Sequence, residues 1–174
     1  MTKIISLTIV LVIGLQSFAQ KMKDLGKLEF NEKTQQFLSD QPQAKGLTMY
    51  DLSNMLAYGI DNNGSFIFYK YKPFRIELFS YNENIAGYGF RIMDYDSQEE
   101  IGKILRARYP TLKMVDSSRF GKYYKLSDND RLIDFRTVSA EAFKEGRNGY
   151  LLIMSHELSE AIAREEKKYQ KKYY

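Results

Sequence analysis

The chain contains a single histidine, His156, set in the triplet Ser155-His156-Glu157. A serine, an imidazole and a carboxylate are the parts of a nucleophilic triad, in which nucleophile and base meet at about 3 Å. Neighbours on a strand point to opposite faces, however, so Ser155 and Glu157 do not both turn toward His156. A serine from elsewhere would have to complete the arrangement, and the local pattern suits a structural or capping histidine near a strand end. As a metal ligand His156 has no histidine or cysteine companion, whereas zinc is held by such sets. The lack of cysteine also excludes thiol catalysis, thiolate metal sites and disulfides.

Four carboxylates gather at Asp94, Asp96, Glu99 and Glu100. Paired carboxylates cleave glycosidic bonds, but a strand end leading into a helix N-terminus favours acids through the helix dipole alone. Two acidic turns invite a calcium reading. In "DNNGSF", Asp61, Asn63 and Ser65 have the spacing of the first ligands of a calcium loop, yet Gly64 is misplaced and Lys72 stands where a bidentate glutamate belongs. In "DNDRLID", Asp128 and Asp130 are followed by Leu132, which does not coordinate. Turn chemistry accounts for both stretches. No glycine-rich phosphate loop is present, and the sequence implies neither a metal nor a cofactor.

Aromatic side chains are the positive feature: 14 Tyr and 11 Phe, with no Trp. Interleaved with Lys and Arg, such rings stack on sugars or bases and bind anionic polymers. Tyr69 and Tyr71 in "FIFYKYKPF", Tyr88 and Phe90 in "YGF", and Tyr123 and Tyr124 in "KYYKL" form the candidate ligand-binding set. The competing account is that tyrosines fill half-buried strand positions and keep their hydroxyls in water. Lys167, Lys168, Lys171 and Lys172 in "AREEKKYQKKYY" form a candidate tail for weak contact with an anionic surface. The formal charge of +4, from 26 basic and 22 acidic residues of interspersed sign, lacks the dense basic field of a specific nucleic-acid binder.

Any of these groups works only if elements hold it in place, and the N-terminus first sets the compartment. Ile4 to Leu15 is apolar apart from Ser6, Thr8 and Gly14. As a helix it would span about 18 Å at about 1.5 Å per residue, against a bilayer core of about 30 Å. Lys3 before the run and Ser17-Phe18-Ala19 after it complete the layout of a secretory signal peptide over residues 1–19, cut before Gln20. The alternatives are a buried core helix, which would show a polar stripe, and an uncleaved anchor. A lipoprotein would need a cysteine after the cut. The expectation is an exported protein, periplasmic or secreted, with no integral span after cleavage.

Residues 20–174 are expected to form one domain with a polar lead-in over 20–30 and a basic helix tail over 163–174. Asn31 caps a short helix ending before Pro42, and Thr48 with Asp51 opens a helix over 49–58 carrying Leu52, Met55 and Leu56. β-Branched and aromatic alternation then predicts strands near 66–71, 75–81 and 86–93, with Gly87 and Gly89 marking a bulge or a close approach to the backbone. "SQEEIGKILRARYP" predicts a helix over 97–109, capped by Ser97 and Glu100, with Ile101, Ile104, Leu105 and Tyr109 as its apolar stripe. A hairpin turning near 128–130, one or two helical turns over 139–146, a central strand in "YLLIMSHEL" and an amphipathic helix from Ser159 complete the chain.

The fold class is therefore α+β: an antiparallel sheet of about five to seven strands with helices packed on one face, and a weak duplication of a helix followed by three strands. The function this supports is a non-catalytic binding or interaction module for a peptide, a protein or an envelope polymer. The competing classes are a hydrolase using carboxylates near Asp94 to Glu100 or His156, and an inhibitory or structural protein acting through exposed hairpins. A concave pocket that collects carboxylates or reaches His156 favours the enzyme, and an aromatic sheet face favours binding.

Overall fold

The computed structural model describes residues 22–49 and 52–173; the expected signal segment 1–19 and its cut before Gln20 lie outside the described residues. In chain order the strands are β1 (Lys23–Asp24), β2 (Gly46–Thr48), β3 (Met55–Asp61), β4 (Phe66–Ile67), β5 (Arg75–Tyr81), β6 (Asn84–Ile92), β7 (Lys113–Ser118), β8 (Gly121–Ser127), β9 (Arg131–Arg136) and β10 (Gly149–Ser155). The α-helices are α1 (Thr34–Phe37), α2 (Tyr95–Arg108), α3 (Ala140–Lys144) and α4 (His156–Tyr173). Among the described residues no helix is long and apolar enough to cross a membrane.

Eight strands form one antiparallel sheet in the order β2-β3-β5-β6-β10-β9-β8-β7, and β1 pairs with β4 in a separate parallel ribbon. The α+β class and the antiparallel sheet are as expected, with one strand more than the upper expectation. The order is symmetric about the β6–β10 pair, where Phe90 faces Leu151 and Tyr88 faces Ile153. Each half is a four-stranded meander followed by a helix, α2 in the first half and α4 in the second. The repeating unit thus places its helix after four strands, not before three.

Alternation along the central strands sends two apolar sets to opposite faces. On the first face Ile76, Leu78, Tyr88, Phe90, Phe135 and Leu151 pack beneath Ile101 and Leu105 of α2 and beneath Leu25, Leu28 and Phe37 of the N-terminal segment. On the second face Met55, Phe79, Ala86 and Met154 pack against Leu158, with Ile162 alongside, both from α4. The helices therefore divide between the faces, where the sequence suggested one. The N-terminal lead-in is part of the first-face cover. Leu25 is 1% exposed.

Within the expected helix over 49–58, β3 begins at Met55, and β2 ends just before it at Thr48. The i, i+3, i+4 spacing of Leu52, Met55 and Leu56 is short, while from Met55 onward each residue pairs with β5, Ala57 with Phe79 on one face and Tyr58 with Leu78 on the other. Sheet pairing and half-burial override the helical pattern. Helix α2 starts two residues early because Asp94, not Ser97, is its cap, accepting the Ser97 N–H at 2.7 Å. The predicted strand at 66–71 shrinks to β4 and a bridge between Phe68 and Tyr71, with Tyr69 in the left-handed region at φ 55°. Helix α1 begins at Thr34 after Lys33, so Asn31 is not its cap. Strand β7 was not expected; all six of its residues are exposed.

Candidate functional site

The second face carries a polar row built by strand register. Tyr150 on β10 lies opposite Arg91 on β6 and Arg136 on β9, and Arg136 lies opposite Tyr123 on β8. One step along the strands, Glu77, Gly89, Leu152, Asp134 and Lys125 follow each other across β5, β6, β10, β9 and β8. Alternation places all of these on the side opposite Phe90 and Phe135.

Gly89 is what allows the row to connect. A Cβ at this position would lie 2.5 Å from the Tyr150 hydroxyl, so only glycine lets the Tyr150 ring cross β6. Its hydroxyl then donates to Glu77 Oε2 at 2.9 Å. Burial pushes the Tyr150 phenol well up, and the neighbouring Glu77 carboxylate adds to the effect. The phenol remains protonated and acts as a donor. On the other side of β10, Asp134, only 7% exposed, accepts from Arg136 Nε and Nη2 and from the Tyr123 hydroxyl, each at 3.0 Å. Such bidentate pairs fix a guanidinium plane as well as its charge. That plane lies 5.3 Å from the Tyr123 ring centre. Burial, then Asp134, raises the Tyr123 phenol, and the Asp134 hydrogen bond raises Arg136 further.

Beside the row, α4 covers only part of the sheet and leaves a trough of about 770 Å³. Its floor includes Ala57, Phe79 and Leu152, one wall is Ile162 and Ala163 of α4, and the opposite rim carries Leu47 and Met49. Leu47 is 70% exposed and Met49 38% exposed. A second hollow of about 520 Å³ shares Arg75, Glu77 and Tyr150 and adds Arg91, Phe74 and Met93. Glu77 and Asp134 are held as hydrogen-bond acceptors. The arrangement offers an apolar shelf with donors and charges of both signs at one end.

Five of the six aromatic residues singled out in the sequence gather at the first-face core, Tyr88 and Phe90 within it and Tyr69, Tyr71 and Tyr124 packed against it. Tyr88 and Phe90 are 2% and 1% exposed within the first-face core, which removes both rings from any ligand surface. Tyr124 packs on Phe135, 5.9 Å between ring centres, also on that face. Tyr69 donates to the Gly26 carbonyl at 3.3 Å and accepts from Arg108 at 2.7 Å, joining the lead-in to α2. Tyr71 donates to the Arg91 carbonyl and accepts the Met93 N–H, which ties down the end of β6. Only Tyr123 belongs to the polar row. Glu77, Asp134, Arg136 and Tyr150 escaped the sequence reading; the spacing of Asp134 and Arg136 in "LIDFR" puts both on one strand face and was the available signal.

His156 opens α4, and its Nδ1 is buried without a hydrogen-bond partner. Ser155 Oγ accepts the Leu158 N–H at 3.3 Å, a capping contact that uses the would-be nucleophile structurally. Asp94 caps α2 and Glu100 pairs with Lys103 at 2.7 Å on the surface; the Lys103 hydrogen bond lowers the Glu100 carboxyl. Among the described residues no group of three or more His, Cys, Asp or Glu is placed to hold a metal ion. In the tail Lys167, Lys168 and Lys171 are exposed on α4, and Lys168 pairs with Glu165; the side chain of Lys172 lies outside the described residues. Comparison of the chain with protein-family models, with curated proteins and with solved structures finds no match.

Proposed function

We propose that the protein is an exported, non-catalytic binding module whose second sheet face receives a polypeptide partner. The observation that carries this reading is the half-covered trough, with Leu47 at 70% exposure beside an ordered row of both charges. Its lining holds three cations, Arg75, Lys125 and Arg136, and three anions, Glu77, Asp134 and Glu166. A polyanion or an anionic lipid would meet as much repulsion as attraction there, whereas a protein surface presents both signs around apolar side chains. Export is supported by Lys3, the short apolar run after it and Ser17-Phe18-Ala19.

The test is site-specific photo-cross-linking in the producing cell. A benzophenone side chain at Leu47 or Ala163 is expected to label the same polypeptide, and one at Lys103 on the opposite side is not. Leu47→Asp should reduce labelling from position 163. Intact mass of the recovered protein should begin at Gln20. Equal labelling from both faces, or none from the trough, would refute the binding reading, and a retained residue 1–19 segment would refute cleavage.

A further inference from the structure

The first face holds a separate cleft of about 1060 Å³, between α1 with the segment that follows it and strands β3 and β5. We infer that it is a binding site for a neutral carbohydrate, independent of the polypeptide trough. The lining contains one cation and one anion, Lys33 and Glu83, and these face each other at 3.5 Å. No other charged side chain lines the cleft. What remains is amides, among them Gln35, Asn54 and Asn82, and hydroxyls at Ser39, Ser53 and Ser80, with Leu38, Leu56 and the Tyr58 ring between them.

Side-chain amides and hydroxyls each donate and accept, which matches the alternating donor and acceptor capacity of sugar hydroxyls. The Tyr58 ring and the two leucines suit the C–H faces of a pyranose. An ionic ligand finds no unpaired counter-charge here; Asn54 donates to Asn82, and Asn82 donates to Glu157 at 3.1 Å, which orients both amides and leaves each with donor and acceptor capacity for a hydroxyl.

Two further features mark this cleft. Thr34 lines it, is only 7% exposed, and its Oγ1 has no hydrogen-bond partner. Buried polar atoms are nearly always paired; this one is closed off from solvent, so a ligand hydroxyl pairs with it only by displacing the side chains that cover it. The other feature is the two-residue β5–β6 turn at the rim, of the kind that requires positive φ at both central residues. Asn82 and Glu83 both lie in the left-handed region, at φ 51° and 65°. Asparagine tolerates that region, but a glutamate there is unfavourable. The Glu83 carbonyl accepts the Thr34 N–H at 2.9 Å, so the turn is fastened to α1 and fixes the width of the opening.

The experiment is an NMR titration of the full chain with chitotetraose, cellotetraose and maltotetraose, using tetragalacturonic acid as the anionic control. At least one neutral tetrasaccharide should give saturable shifts at the backbone amides of Gln35, Asn54 and Asn82, with the β8–β9 amides unmoved. Gln35→Ala and Asn54→Ala, both at exposed positions, should each weaken binding by about tenfold, and Leu47→Asp should leave it unchanged. No saturable shift with any neutral sugar at about 10 mM, a level that reveals even millimolar affinity, would overturn the inference. Binding of the galacturonate alone, or neutral-sugar binding indifferent to both alanine variants, would overturn it as well.

Discussion

The Asn62 side chain donates from Nδ2 to the carbonyls of Phe66 and Pro73, at 2.8 and 2.7 Å. Its Oδ1 accepts from the Gly64 and Phe66 N–H groups, at 3.1 and 3.0 Å. One amide thus organises the whole excursion between β3 and β5, which is why the "DNNGS" stretch needs no cation. Asn62→Ala should lower stability by about 2–4 kcal/mol, since several backbone groups lose their partner at once. Asn62→Asp keeps the acceptor contacts but turns a carboxylate oxygen toward two carbonyls, so it should also destabilise at neutral pH and less so in acid. Urea unfolding measures both. An alanine variant within about 0.5 kcal/mol of wild type, the range of ordinary surface changes, would show that the loop is held otherwise. The same economy of single residues operates at Gly89, whose missing Cβ makes the Tyr150–Glu77 bond sterically accessible.

At the scale of elements, α2 is docked by more than its apolar stripe. Gln98, 1% exposed, donates from Nε2 to the Val138 carbonyl at 2.9 Å and accepts the Val138 N–H at 2.8 Å. This two-pronged contact holds the helix against the segment joining β9 to α3. Gln98→Leu preserves side-chain bulk but leaves that peptide group without its partner, and should cost about 1–3 kcal/mol. Amide hydrogen exchange at Val138 should accelerate in step; unchanged exchange would mean that the pair is not what protects it. Helix α2 and strands β5, β6, β8, β9 and β10 were legible because caps, stripes and alternation are local signals. Strand β3 was not, because Leu52, Met55 and Leu56 imitate a helical stripe and only pairing with β5 reveals the strand. Strand β7 carries no alternation to read, being exposed throughout. The polar row was illegible for another reason: Glu77, Gly89, Asp134 and Tyr150 are distant in sequence and meet only through the register of five strands.

At the scale of the whole molecule, the strand order is symmetric but the helices are not, since α2 covers one face and α4 the other. The lead-in completes the first face, whereas the second is left with α4 alone and an open trough. Helix α4 gives its apolar start, Leu158 and Ile162, to that face, and Glu166 is its last residue to line the trough. Beyond it, Lys167, Lys168 and Lys171 are exposed, and cations suit a helix C-terminus whether or not they bind anything. We therefore expect deletion of residues 167–174 to change stability by less than about 1 kcal/mol, because the described side chains of that stretch, 167–171, are exposed. Tail binding to an anionic surface makes a separate demand. The full chain should sediment with phosphatidylglycerol-containing vesicles at low salt and detach as salt rises, since exposed charges are screened beyond about 8 Å at physiological ionic strength. The truncated chain should sediment less at low salt, and the difference should close as salt rises. Equal sedimentation of the two at low salt would leave the lysines as the solvated end of a helix, and the proposals for the trough and the cleft, both built upstream of Lys167, would be untouched by that result.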